Sequence, residues 1–168
     1  MALPESAAVV NIMLHAIYDM PYNEQQSDLT TVTAALASMR RYQSPLETYI
    51  ACGTSLYNFI SGQAPLKPLE AYTVATENQI EPLAVAISPY IMPFTPHDIP
   101  DDFALRIGPL YLKRVWALRR LRCEKMSSMI RNSPTAHSPT SRCEPASRQG
   151  SGRAWSLAGA QLAEEFKP

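Results

Sequence analysis

Residues 68–92 read Pro68-Leu69-Glu70-Ala71-Tyr72-Thr73-Val74-Ala75-Thr76-Glu77-Asn78, then Gln79-Ile80-Glu81-Pro82-Leu83-Ala84-Val85-Ala86-Ile87-Ser88-Pro89-Tyr90-Ile91-Met92. The stretch predicts two short helices joined at a corner over 78–82. Asn78 tolerates the left-handed backbone of a helix end, and Pro82 suits a first turn, where its missing N–H leaves nothing unpaired. Ile80, Leu83, Ala84, Ile87 and Ile91 repeat at helical spacing and give the second helix one inward face. Ala71 and Ala75 let a neighbouring helix approach. The stretch reads as a packing corner that carries no chemistry.

Outward from this corner the chain reads as helices throughout. Towards the N-terminus, Leu3-Pro4-Glu5-Ser6 opens a helix whose first turn takes Pro4 and Glu5 and whose apolar stripe is Val9, Val10, Met13, Leu14 and Ile17, closed by Tyr18. Residues 23–28 are a polar loop. Asp28 or Ser27 caps a helix presenting Leu29, Val32, Leu36 and Met39, with Arg40 and Arg41 at its negative end. Thr54 or Ser55 caps a two-turn helix with Leu56, Tyr57, Phe59 and Ile60, ending at Gly62. Beyond the corner, Ser88-Pro89 predicts a kink or restart. Phe94-Thr95-Pro96 is a further cap-plus-proline start, and Pro100-Asp101-Asp102 opens a short helix ending at Gly108. Pro109 opens the longest helix, about 110–130, with Tyr111, Leu112, Val115, Leu118, Met126, Met129 and Ile130 on one side. Residues 132–152 are rich in Ser, Pro, Thr, Arg and Gly and bury too little to offset their ordering entropy, so they read as disordered. A last helix, about 153–166, presents Trp155, Leu157, Ala158, Leu162 and Ala163. The expected class is all-α, an irregular helical bundle divided as 1–131, 132–152 and 153–168.

At 168 residues the chain is long enough for one core. Its 15 basic and 15 acidic residues balance, but not locally. Residues 1–105 carry 3 basic and 11 acidic, a net of −8, whereas residues 106–153 carry 11 and 2, a net of +9. Such a division predicts a polar partner surface or contact between the halves. Gly is scarce (6) and Pro plentiful (15), which punctuates helices and disfavours sheets. Cys52, Cys123 and Cys143 are an odd number without CxxC spacing, so a reducing intracellular compartment, cytoplasmic or nuclear, fits best. No apolar run reaches the ~18–20 residues that cross a bilayer, and the chain reads as soluble.

Site candidates are few. His15 reads as a packed histidine ahead of a metal ligand, since Asp19 four residues on would make a pair and not a metal set. Cys123, His137 and Cys143 fit no metal finger by spacing. Asp98, Asp101 and Asp102 read as complements to helix dipoles ahead of an acid–base cluster. There is no Gly-rich phosphate loop, no HExxH and no GxSxG. The basic set Lys113, Arg114, Arg119, Arg120, Arg122 and Lys125 is the most informative feature. Solvation or pairing with the acidic front accounts for it first, an acidic protein partner second and nucleic acid third, since no DNA-binding motif accompanies it. Lys113, Arg114, Arg119 and Arg120 are the expected partner contacts. Ser133-Pro134 and Ser138-Pro139 offer phosphate sites near arginine.

Several segments taken together resemble BTB/POZ domains, most closely the BTB-like proteins of mushroom-forming basidiomycete fungi. They are Leu3-Pro4-Glu5-Ser6 with Leu14-His15-Ala16-Ile17-Tyr18, Ala34-Ala35-Leu36 with Tyr42, and Ala64-Pro65-Leu66-Lys67-Pro68-Leu69-Glu70-Ala71-Tyr72. They continue with Leu83-Ala84-Val85 and Ser88-Pro89, then Arg106-Ile107-Gly108-Pro109-Leu110-Tyr111-Leu112-Lys113-Arg114, and Arg153-Ala154-Trp155-Ser156-Leu157-Ala158. The resemblance is to the helical C-terminal part of the domain and its extension, without the leading strands. It implies a non-catalytic interaction module, adaptor or scaffold, with a protein partner, self-association, no enzyme activity and no cofactor. The alternatives are a nucleic-acid-associated transcriptional regulator and a truncated, non-functional gene product.

Overall fold

Pro68 stands in the first turn of the helix around which the front of the chain packs, as a residue without an N–H can. The computed structural model describes residues 4–22, 28–132 and 145–165, and every regular element among them is helical. These are α1 (Ala7–Ile17), α2 (Leu29–Arg41), α3 (Leu46–Tyr49), α4 (Ser55–Gln63), α5 (Pro68–Glu77), α6 (Glu81–Ile91), a 3-10 turn (Pro96–Asp98), α7 (Asp101–Ile107), α8 (Pro109–Arg131) and α9 (Pro145–Glu165). The all-α class read from the sequence is the observed one. The chain forms two compact units, Met1–Val115 and Trp116–Pro168, so the division falls inside α8.

In the first unit α5 buries Leu69 and every residue from 71 to 76 among α6, α7, α2 and α4. The side chains of Ala71 and Ala75 are small enough for that close approach. The buried hydroxyls stay satisfied inside the helix: Thr73 donates to the Leu69 carbonyl at 2.7 Å and Thr76 to the Thr73 carbonyl at 3.2 Å. Leu29, Val32, Leu36 and Met39 of α2, Leu56, Phe59 and Ile60 of α4, and Ile80, Leu83, Ala84, Ile87 and Ile91 at α6 are all buried, as their spacing predicts.

Three helices end alike. After α1, α2 and α5, the residue just past the cap takes a left-handed backbone: Asp19 (φ 50°), Gln43 (φ 57°) and Gln79 (φ 57°). The following amide reaches back five residues, Met20 to His15, Ser44 to Met39 and Ile80 to Ala75, each at 2.9 Å. This is the Schellman ending, built three times without glycine. It corrects the expectation that Asn78 itself is left-handed. Asn78 has φ −96°, because its amide is engaged elsewhere: Nδ2 donates to the Val74 carbonyl at 2.7 Å, and Oδ1 accepts from Arg40 at 2.6 Å.

Other expectations shift. α1 begins after Ser6, whose Oγ accepts from the Val9 amide at 3.4 Å, so Pro4 and Glu5 precede the helix. Its inward face is Val9, Ile12 and Ala16. Asp28 makes no side-chain cap to α2; its carboxylate accepts from Thr30 at 2.6 Å and Lys67 at 2.7 Å instead. α6 runs on through Pro89 without a restart. Pro89 cannot donate to the Val85 carbonyl, and the Ser88 hydroxyl donates to it at 2.8 Å. Thr95 and Asp98 form a capping box on the 3-10 turn, with the Thr95 amide donating to Asp98 at 2.7 Å.

Along α8, Val115 is buried, Tyr111 and Leu112 pack on the core, and Met126 and Ile130 are half-buried, but Leu118 and Met129 are exposed, so the stripe expected over the whole helix is covered in part and interrupted. In the second unit, α9 starts at Pro145, eight residues before Arg153. Of the segment expected to be disordered, residues 133–144 lie outside the described residues and 145–152 are helical. The Trp155 indole donates to the Ile130 carbonyl at 2.9 Å, in the last turn of α8, where carbonyls lack helical partners. Gly159 is buried beside the same residue, and a Cβ there would lie 2.8 Å from the Ile130 oxygen.

Candidate functional site

Residues 7–18, Ala-Ala-Val-Val-Asn-Ile-Met-Leu-His-Ala-Ile-Tyr, contain no Asp, Glu, Lys or Arg. One side of α1 packs on α2 and α4. The other leaves Leu14 and Ile17 44% exposed and Tyr18 71% exposed. A surface helix ordinarily turns charge to water, and charge depletion marks the centres of protein interfaces.

The basic set divides. The Arg114 guanidinium lies 2.6 Å from the Glu81 carboxylate and 5.4 Å from the Tyr111 ring centre, while the Tyr111 hydroxyl donates to Glu81 at 3.2 Å. Burial and then Glu81 push the Tyr111 hydroxyl up from its ordinary pKa. Tyr72, edge-on to Tyr111 with ring centres 6.5 Å apart, is pushed up to about 12, chiefly by burial. Arg106 similarly forks onto Glu77 of α5 at 2.7 and 3.1 Å. Rear cations therefore fasten α7 and the start of α8 to front carboxylates, the internal pairing that the charge division allows. In the second unit Arg119 is half-buried and Arg120 lies 3.6 Å from Glu124. Lys113, Arg122 and Lys125 are exposed and have no ion-pair partner among the described residues.

A surface cavity of about 230 Å³ opens over Leu29 and Val74, rimmed by Asp28, Thr30, Thr33, Lys67, Glu70 and Arg106. Hydrogen bonds from Lys67 and then Thr30 pull the Asp28 carboxyl down to about 2, and the same contact raises Lys67. A carboxylate so held is a poor proton acceptor near neutrality, where a general base needs a pKa close to the working pH. Sequence reading missed this rim. Asp28 and Lys67 are 39 residues apart, with no local pattern linking them.

The other candidates occupy structural places. The His15 Nδ1 lies 2.9 Å from the Pro21 carbonyl oxygen, and its ring centre is 5.4 Å from that of Tyr22. Burial, with Asp19 nearby, raises the Tyr22 hydroxyl. Asp101 and Asp102 stand in the first turn of α7. Cys123 is half-buried, and His137 and Cys143 lie outside the described residues. Among the described residues no group of three or more His, Cys, Asp or Glu is placed to hold a metal, and no helix is long and apolar enough to cross a membrane. The chain matches no family model, no curated protein and no solved structure.

Proposed function

We propose that the chain is a non-catalytic protein–protein interaction module of the BTB/POZ-like kind, an adaptor or scaffold that associates through the outer face of α1. The observation that supports this reading is the uncharged run 7–18, half of whose apolar side chains face water. Exposed Leu14, Ile17 and Tyr18 supply apolar area that association removes from water at about 25 cal/mol per Å². Without an Asp, Glu, Lys or Arg on the helix, two copies meet there without like-charge repulsion. The rim of the cavity favours no catalytic reading, since its Asp28 and Lys67 are committed to each other and its Arg106 to Glu77.

The test is sedimentation velocity over roughly 1–100 μM, a range that brackets weak and moderate association. The parent chain forms a dimer whose population grows with concentration. Leu14→Glu combined with Ile17→Glu, both at exposed positions, stays monomeric with unchanged helicity. A parent that remains monomeric throughout the range overturns association through this face.

A further inference from the structure

We infer that one edge of α8, carrying Leu118, Leu121, Lys125 and Met129, docks into an acidic protein that receives helices in an apolar, methionine-lined groove, the chemistry of calcium-loaded calmodulin. The inference deepens the proposed interaction function by naming a partner class, and uses a surface separate from α1.

At about 100° per residue, positions three, seven and eleven beyond Leu118 fall within one sector roughly 80° wide. Three of the four side chains there are apolar and open to water: Leu118 is 44%, Leu121 56% and Met129 60% exposed. Ile130, on another side of the helix, takes the contacts with Trp155 and Gly159, which leaves this edge clear. Lys125 stands within the sector and Arg122 beside it. Both are exposed, and neither has an ion-pair partner among the described residues. Residues 116–131 carry five cations against one carboxylate, Glu124, a net of +4.

That mixture selects the occupant. A second copy of the edge would bring the same cations together. A nucleic-acid duplex matches the charge but gives exposed leucines no apolar receptacle. A helix lying on an anionic bilayer keeps its cations on the face opposite its apolar one. Arg119, Arg120 and Arg131 lie on other sides of α8, but Lys125 falls between Leu121 and Leu118 and Arg122 flanks them, each with an apolar stem that lies along a groove wall and a charged tip that reaches a carboxylate at the rim. An acidic-rimmed apolar groove satisfies both.

The experiment titrates the full chain into fluorescently labelled calmodulin and follows anisotropy, with calcium and then with a chelator. The expected dissociation constant with calcium is on the order of 10 μM or tighter, with at least a roughly tenfold loss on chelation. Leu121→Glu weakens binding roughly tenfold or more, and Arg122→Glu with Lys125→Glu does the same. Leu157→Glu, at an exposed position on α9, stays within about twofold of the parent. Circular dichroism confirms that each variant keeps its helicity. No binding with calcium, or equal binding by Leu121→Glu, overturns the proposal. So does tighter binding to phosphatidylcholine vesicles containing phosphatidylserine than to calmodulin. A failed titration leaves the sedimentation result at α1 untouched, so the two readings fail separately.

Discussion

The Ile80 amide donates to the Ala75 carbonyl at 2.9 Å, across a corner whose middle residue, Gln79, has φ 57°. That bond sets the angle at which α6 leaves α5, and it brings Ile80 into the core, where it is 3% exposed. A side chain with a Cβ is strained in this backbone region, and glycine is not. Gln79→Gly is therefore expected to stabilise the chain by about 0.5–1 kcal/mol, the relief being partly offset by the freer unfolded chain. Asn78→Gly, at φ −96°, brings no such gain. Thermal melts of the two variants against the parent check the contrast.

Asn78 ties the end of α5 to α2. Its amide donates to Val74 and accepts from Arg40, which also donates to the Glu77 carbonyl at 3.0 Å. Asn78→Ala is expected to cost about 1–2 kcal/mol in urea unfolding, as two side-chain hydrogen bonds are lost. The Arg40→Ala loss should overlap with it, because both variants break the same contact. A double-mutant cycle with additive losses would remove the coupling.

The Asp28 pair gives an acid signature. The folded carboxyl is held down at about 2 by Lys67 and Thr30, against about 3.9 in an unfolded chain. Its contribution is therefore fully present above pH ~4 and is lost as pH falls from ~4 towards ~2. The group is largely exposed, so the effect is small and weakens with salt. Asp28→Asn should flatten the fall of melting temperature in that window: the variant melts slightly below the parent near neutral pH, and the two converge towards pH ~2.

Gly159 sets helix propensity against packing. In an open helix, Gly→Ala gains up to about 1 kcal/mol. At this site the new Cβ would meet the Ile130 carbonyl oxygen at 2.8 Å, and backbone cannot swing aside. Gly159→Ala is expected to lower protection of the amides near the end of α8 in hydrogen exchange, despite its better propensity. Increased protection would show that α9 does not approach α8 this closely.

Ala75 is fully buried where α5 meets its neighbours. Ala75→Leu adds volume with nowhere to go and should cost about 1–3 kcal/mol. An unchanged urea midpoint would show that the interior around α5 is looser than its burial implies.

Much of the fold was legible because its signals are local. Pro68, Pro82 and Pro109 each mark the first turn of a helix, and the stripes on α2, α4 and α6 face inward as spaced. α1 was misread because its large apolar residues spread over more than half its circumference, with only Asn11 and His15 interrupting them. When Val9, Val10, Ile12, Met13, Leu14 and Ile17 are all apolar, periodicity carries no phase, and the neighbours α2 and α4 choose Val9, Ile12 and Ala16. The basic set was legible as a composition but not as a surface. Arg114 is committed to Glu81, 33 residues earlier, while Lys125 has no ion-pair partner among the described residues.

By itself, then, the sequence determined where helices start and stop and which of them carry a single apolar face, since caps, prolines and 3.6-residue spacing act within a few residues. Only the tertiary structure decided which side of α1 is buried, that the compact units divide within α8, and which cations of the rear are bound to the acidic front. Those outcomes depend on groups tens of residues apart being brought within a few ångströms. No local pattern encodes such a meeting; the packing of α5 among its neighbours brings it about.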